Sequence, residues 1–161
     1  MQSSQWKGKG SPRPKKARMS GSKIKVLFAV FFDWKGILHN GFVPRGQMIN
    51  KQLYVEVLAR LGEVVHRKRP ELRENQTWML HHDNAPVQAS LLIRTYLAKH
   101  QISVAPHPPY SPELAPADFF MFPKLQTTLK GRRFQTIEGI QENAMRELRA
   151  ITESVFQEAF Q

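Results

Sequence analysis

"IKVLFAVFFDWKGILHNGFVP", Ile24 to Pro44, is the stretch on which the fold turns. Its first ten residues are mainly β-branched and aromatic, with Lys25 near the start and Asp33 at the end, and too short and continuous for a surface helix. They read as a buried strand, Val26–Phe32 at its heart. Lys35-Gly36 supplies a turn, and "ILHNGFVP" returns as a hairpin partner that ends at Pro44.

Downstream, Asn50 caps a helix whose apolar residues Leu53, Val57, Leu58, Leu61 and Val65 recur three or four apart. "HRKRPELREN" reads as a charged connection broken at Pro70, and Thr77 to His82 as the next strand. A second amphipathic helix carries Ala89, Leu92, Ile93, Tyr96 and Leu97 on one stripe, and Ile102 to Ala105 is a short strand. "PHPPYSPELAP", Pro106 to Pro116, holds five prolines and reads as a rigid loop. "FFMFPKLQTTL" then looks helical, with Pro123 in the first turn or at a kink. Thr136 caps a last helix with Ile137, Ile140, Ala144, Leu148, Ile151 and Val155 at helical spacing. The order β-β-α-β-α-β-α-α predicts an α/β domain over 26–161, with helices packed on a mixed sheet.

Upstream lies a different kind of sequence. Residues 1–25 carry Lys7, Lys9, Arg13, Lys15, Lys16, Arg18 and Lys23 among glycines, serines and prolines, too little apolar surface to fold alone. This basic arm reads as a phosphate-contacting strip, a nuclear-import signal or a solvated linker. Over all 161 residues, 24 Lys and Arg against 13 Asp and Glu give a net charge of +11 and a pI near 10.3. That surplus suits an anionic partner, nucleic acid first and acidic membrane second, and suits equally a merely soluble basic protein or a fragment missing an acidic half. Cysteine is absent, which excludes disulfides and thiolate metal sites. No run approaches the eighteen apolar residues of a membrane span, so neither a membrane nor a small-molecule cofactor is implied.

Two carboxylates stand at element junctions. Asp83 follows the strand that ends at His82, and Asp118 follows the proline loop, with 34 residues between them. Converging acidic oxygens with room for water suit Mg²⁺ or Mn²⁺, which activate water against phosphodiesters. The plainer reading makes each Asp the cap of its own helix. His81, Asp83 and His107 also spell H-x-D…H, the form of an iron-binding facial triad, although such triads usually sit in all-β jelly rolls. His82, on the opposite face of an alternating strand, points to packing. Trp34 and Trp78 read as core, and Arg132 and Arg133 as phosphate contacts or a solvated helix end.

"HHDNAPVQA", "HPPYSPELAPADFFMFPKL" and "LKGRRF", with "VFFDWKGILHNGFVPRGQMIN" and "KKARMSGSKIKV", resemble the catalytic domain of mariner-type transposases of the Tc1/mariner superfamily. The likeness runs over essentially the whole chain, with the motifs in order. It implies a ribonuclease-H-like fold and DNA cutting and joining with two Mg²⁺ ions held by three carboxylates. Asp83 matches the second of those carboxylates and Asp118 the third. The first belongs to a G-D-E strand upstream of the segment matched here, and Asp33 in "FFDW" matches a position outside the triad. The resemblance therefore implies a sheet without its first, central strand, an incomplete site, and Mg²⁺ (or Mn²⁺) held weakly. It also implies a nuclear protein, DNA as partner, and a homodimer clamped through the basic arm. The rival expectation is a domesticated, non-enzymatic DNA-binding protein. A third is a fragment whose first strand is encoded just upstream.

Overall fold

The computed structural model describes residues 26–161 except 76, 84, 131, 133 and 135, so the basic arm and Arg133 lie outside the described residues. The hairpin forms as its composition requires: β1 (Phe28–Asp33) pairs antiparallel with β2 (Gly36–Phe42), with an irregularity between Phe31 and Phe32. The turn needs a residue with φ of +126°, which Gly36 adopts without a Cβ penalty.

Helix α1 (Lys51–Lys68) begins where Asn50 Oδ1 accepts the Leu53 N–H at 2.8 Å. Its buried stripe is Tyr54, Leu58, Leu61 and Val65, so Tyr54 rather than Leu53 heads the face. Pro70 does not merely break a connection: it starts a short helix, α2 (Pro70–Asn75), because proline's missing N–H costs nothing at a first helical position. The next strand shrinks to β3 (Met79–Leu80), which pairs parallel with β4 (Ser103–Val104). Between them lies α3 (Leu91–Lys99), which buries Ile93 and Leu97 and leaves Leu92 exposed.

The proline loop holds one 3₁₀ turn, Pro112–Leu114, and leads into a π-helical turn, Ala117–Met121. Helix α4 (Phe122–Leu129) follows, with Pro123 in its first turn. Thr136 caps α5 (Ile137–Ala150), its Oγ1 accepting the Gly139 N–H at 3.1 Å. The single last helix expected through Val155 is instead two, for the backbone leaves helical geometry at Ile151 and restarts as α6 (Glu153–Ala159).

Two hydrophobic clusters result. Tyr54, Leu58, Leu61, Val65, Leu80, Ile93 and Leu97 form the first, with Phe31, Leu38 and Trp78 against it. Phe120, Met121, Leu125, Leu148 and Phe156 form the second, with Phe28, Val30, Phe32 and Ile37 against it. The hairpin thus has helices on both faces, one set per cluster. Among the described residues the strands make two separate two-stranded sheets rather than one.

Candidate functional site

Asp83 sits three residues beyond β3, with its side chain exposed. It caps no helix: its Oδ1 accepts the Ala85 N–H at 3.2 Å in a local turn, and Ala89 N–H closes a further turn onto Ala85 O at 3.0 Å. Helix α3 starts only at Leu91, behind Ser90. Asp118 is exposed in the first turn of the π-helical segment. Its backbone N–H donates to the buried Ala115 at 2.8 Å, which fixes where the proline loop delivers it.

The route to each carboxylate starts from the same place. β3 and β4 run parallel, and Ala105 N–H donates to Leu80 O at 2.8 Å just past their ends. One step further, His81 Nε2 lies 3.1 Å from His107 Nδ1. The segment leading to Asp83 and the loop leading to Asp118 therefore leave one end of the sheet in contact. Burial, and then the neighbouring His107, hold His81 below the ordinary histidine pKa. Among the described residues, no three His, Cys, Asp or Glu side chains converge to hold a metal. The facial triad is accordingly not formed: His81 meets His107, and Asp83 does not complete the set.

The other candidates separate cleanly. His82 faces the core, its Nδ1 2.9 Å from the Tyr54 hydroxyl, and burial is the first cause of its lowered pKa, with Asp83 opposing. Burial, and next the Asp83 charge, push the Tyr54 hydroxyl upward, so it keeps its proton in the bond it shares with His82. Asp33 is held by Arg69 through two bonds of 2.8 and 3.0 Å and by the Lys35 N–H at 2.9 Å, which spends its oxygens on the fold. Trp34 is not core but half-exposed at the hairpin turn, with the Lys35 ammonium 5.1 Å from its ring; Trp78 does pack on the first cluster. Arg132 donates to Asn143 at 3.0 Å from an exposed position, an oxygen that Arg146 also engages.

Sequence reasoning passed over Tyr54 and Arg69. The 54-58-61-65 spacing could have revealed the first. Nothing local announces the second, because Arg69 and Asp33 are 36 positions apart.

In kind, the two exposed carboxylates fit a hard divalent cation with water filling the remaining positions. Asp83 Oδ1 already takes one N–H, and no third acidic group joins them among the described residues, so the set does not fit a two-ion arrangement.

The family described as "Transposase (partial DDE domain)" matches residues 1–75. Mariner Mos1 transposase of Drosophila mauritiana is 31% identical over 134 residues, 83% of this chain and 39% of that protein. Human histone-lysine N-methyltransferase SETMAR is 29% identical over 123 residues, 76% of this chain and 18% of that protein. The chain thus spans about two fifths of Mos1 and under a fifth of SETMAR. The Mos1 catalytic domain solved with raltegravir and Mg superposes with a TM-score of 0.78 at 27% identity, over 83% of this chain and 67% of that one. A pre-cleavage Mos1 transpososome superposes at 0.84 and 26% identity, over 98% of this chain and 46% of that one. The fold is that of the Mos1 catalytic domain, ribonuclease-H-like, with helices layered on two small sheets among the described residues.

Proposed function

From the premise that this chain is a mariner-type transposase domain, we propose that it binds DNA and holds one divalent cation between Asp83 and Asp118. We propose further that by itself it does not complete strand cleavage or transfer. The observation that carries the reading is the contact between the two departing segments: parallel β3 and β4, continued by His81 against His107, start both carboxylates from one end of the sheet. A cation held there supplies Lewis-acid polarisation of a phosphate oxygen and a more acidic water.

The remaining steps belong to the chain's own groups. Ala85 N–H orients Asp83, and Ala115 anchors the turn that carries Asp118. Tyr54 holds His82 on the core side, so the backbone enters Asp83 from a fixed direction. Lys7, Lys9, Arg13, Lys15, Lys16, Arg18, Arg132 and Arg133 neutralise phosphates and set the DNA's position. The same basic arm directs the chain to the nucleus and contacts a second copy. A symmetric clamp on attacking and leaving oxygens needs a second ion and a third carboxylate, and Asp33 is committed to Arg69.

The test is incubation of the purified chain with Mg²⁺ and nicked or single-stranded DNA. The expected result is DNA binding without turnover. Robust turnover that Asp83→Ala abolishes overturns the claim of inactivity.

A second reading is a DNA-binding module with no metal chemistry at all. It is favoured by the match to a protein named for histone-lysine methyl transfer, where this stretch is joined to another activity. On that reading Asp83→Ala and Asp118→Ala leave DNA affinity unchanged and Mn²⁺ does not bind.

A further inference from the structure

His81 and His107 are set against each other by backbone that has little freedom. His81 follows β3 directly, and the Ala105 N–H on Leu80 O, at 2.8 Å, ties the two departing segments together one residue earlier. His82 is tied to the Tyr54 hydroxyl at 2.9 Å on the core side. Successive residues of an extended chain point to opposite faces, so His81 is turned outward, and it is exposed. His107 stands between Pro106 and Pro108. A proline fixes its own φ and confines the residue before it to extended conformations, so the loop presents this ring from a stiff stem.

The spacing of the two rings matches a chelate. His81 Nε2 and His107 Nδ1 are 3.1 Å apart, with ring centroids 5.1 Å apart and planes inclined by 57°. Two imidazole nitrogens on one zinc ion, each at about 2.0–2.1 Å, stand about 2.8–3.4 Å apart as the angle at the metal opens from about 90° to about 109°. The observed distance falls inside that range. A small swing of each ring therefore puts an ion where one nitrogen now donates to the other, with the backbone left in place. Whichever ring donates, the ion requires the ring hydrogens on His81 Nδ1 and His107 Nε2, an exchange of tautomer through water. Imidazole pairs select borderline ions such as zinc and copper, whereas carboxylate oxygens select magnesium and manganese. Among the described residues no third His, Cys, Asp or Glu converges on the pair, so water fills the remaining positions and the site stays open.

We infer that His81 Nε2 and His107 Nδ1 chelate one Zn²⁺ ion at the end of the parallel strand pair. The ion cross-links the segment that leads to Asp83 with the loop that leads to Asp118. It is held by other atoms and another class of donor than the cation proposed between those carboxylates, and the inference does not rest on that reading.

The test is calorimetric titration of the full chain with zinc chloride alone, in a buffer that binds no metal and above the ordinary histidine range. The unaltered chain is compared with His81→Gln, with His107→Gln and with the double variant Asp83→Asn/Asp118→Asn. The expected result is one Zn²⁺ per chain in the unaltered protein and in the carboxylate variant. Affinity falls by about tenfold or more in each histidine variant, at least what the loss of an outer partner of a metal ligand costs. Combining the two histidine substitutions lowers it little further, because either one already breaks the chelate. Zinc also raises the urea midpoint of the unaltered chain and not of the histidine variants, whose zinc-free midpoints show that they fold. Zinc affinity that neither histidine substitution lowers overturns the inference. So does zinc lost in the carboxylate variant, which assigns the ion to Asp83 and Asp118, or one zinc per two chains, which assigns it to a contact between copies. Failure of the carboxylate reading shows instead as Mn²⁺ binding that the aspartate substitutions do not disturb.

Discussion

Asp33 and Asp83 carry the same charge and spend it differently. Asp33 and Arg69 keep only 19% and 14% of their side-chain surface exposed, so Arg69→Ala strands a largely buried carboxylate. The expected loss is about 1–3 kcal/mol, read from the urea midpoint. Asp33→Ala is likewise expected to destabilise the fold and to leave Mn²⁺ affinity unchanged, because this carboxylate is committed to Arg69. Tyr54→Phe removes the bond to His82 and is expected to cost about 1 kcal/mol. The histidines add a pH dependence of defined sign. His39, His81 and His82 are all held below the ordinary value of 6.5, chiefly by burial, so the unfolded chain binds protons that the folded chain refuses. Their contribution is present above pH 6.5 and is lost as pH falls from there through the lowered folded values. Urea midpoints measured across that window should decline; a midpoint that rises on acidification contradicts the assignment.

At the scale of elements, Phe156 shows what holds the second cluster. It is 1% exposed, and it meets both Phe32 of β1 and Phe120 of the π-helical turn. Phe156→Ala is expected to cost about 3–5 kcal/mol in a chemical melt, whereas Met48→Ala, at 83% exposure, stays within about 0.5 kcal/mol. Gly36→Ala is expected to cost about 1–3 kcal/mol through backbone strain, since the nearest side-chain atom to an added Cβ is an unstrained 3.9 Å away.

The same elements show where sequence was readable. Asn50 and Thr136 were legible as caps because a short polar side chain before an amphipathic stripe has one favourable use. The hairpin was legible from its unbroken apolar run and its Lys-Gly turn. The break at Ile151 was not, because apolar spacing continues through it and only the two packed helices reveal the corner. Thr77–His82 promised six strand residues and gave two, since ladder length depends on neighbours that periodicity does not encode. Motif resemblance alone singled out Asp83 and Asp118 together; spacing favoured two separate caps, and neither residue is one.

For the whole molecule, charge and sheet architecture set the behaviour. A net charge of +11 predicts DNA affinity whose logarithm falls linearly with the logarithm of salt. With about six phosphates contacted, the loss is about a thousandfold between about 50 and about 200 mM salt. Filter binding at several salt concentrations reads that slope, and removal of residues 1–25 is expected to flatten it.

Two carboxylates, delivered from one end of a parallel strand pair, are proposed to share one ion. Water-proton relaxation during Mn²⁺ titration measures this directly, with the unaltered chain beside Asp83→Asn and Asp118→Asn. One Mn²⁺ per chain, lost in either variant, is the expected result. Two independent weak ions, each abolished by only one of the substitutions, or binding that neither disturbs, would contradict it.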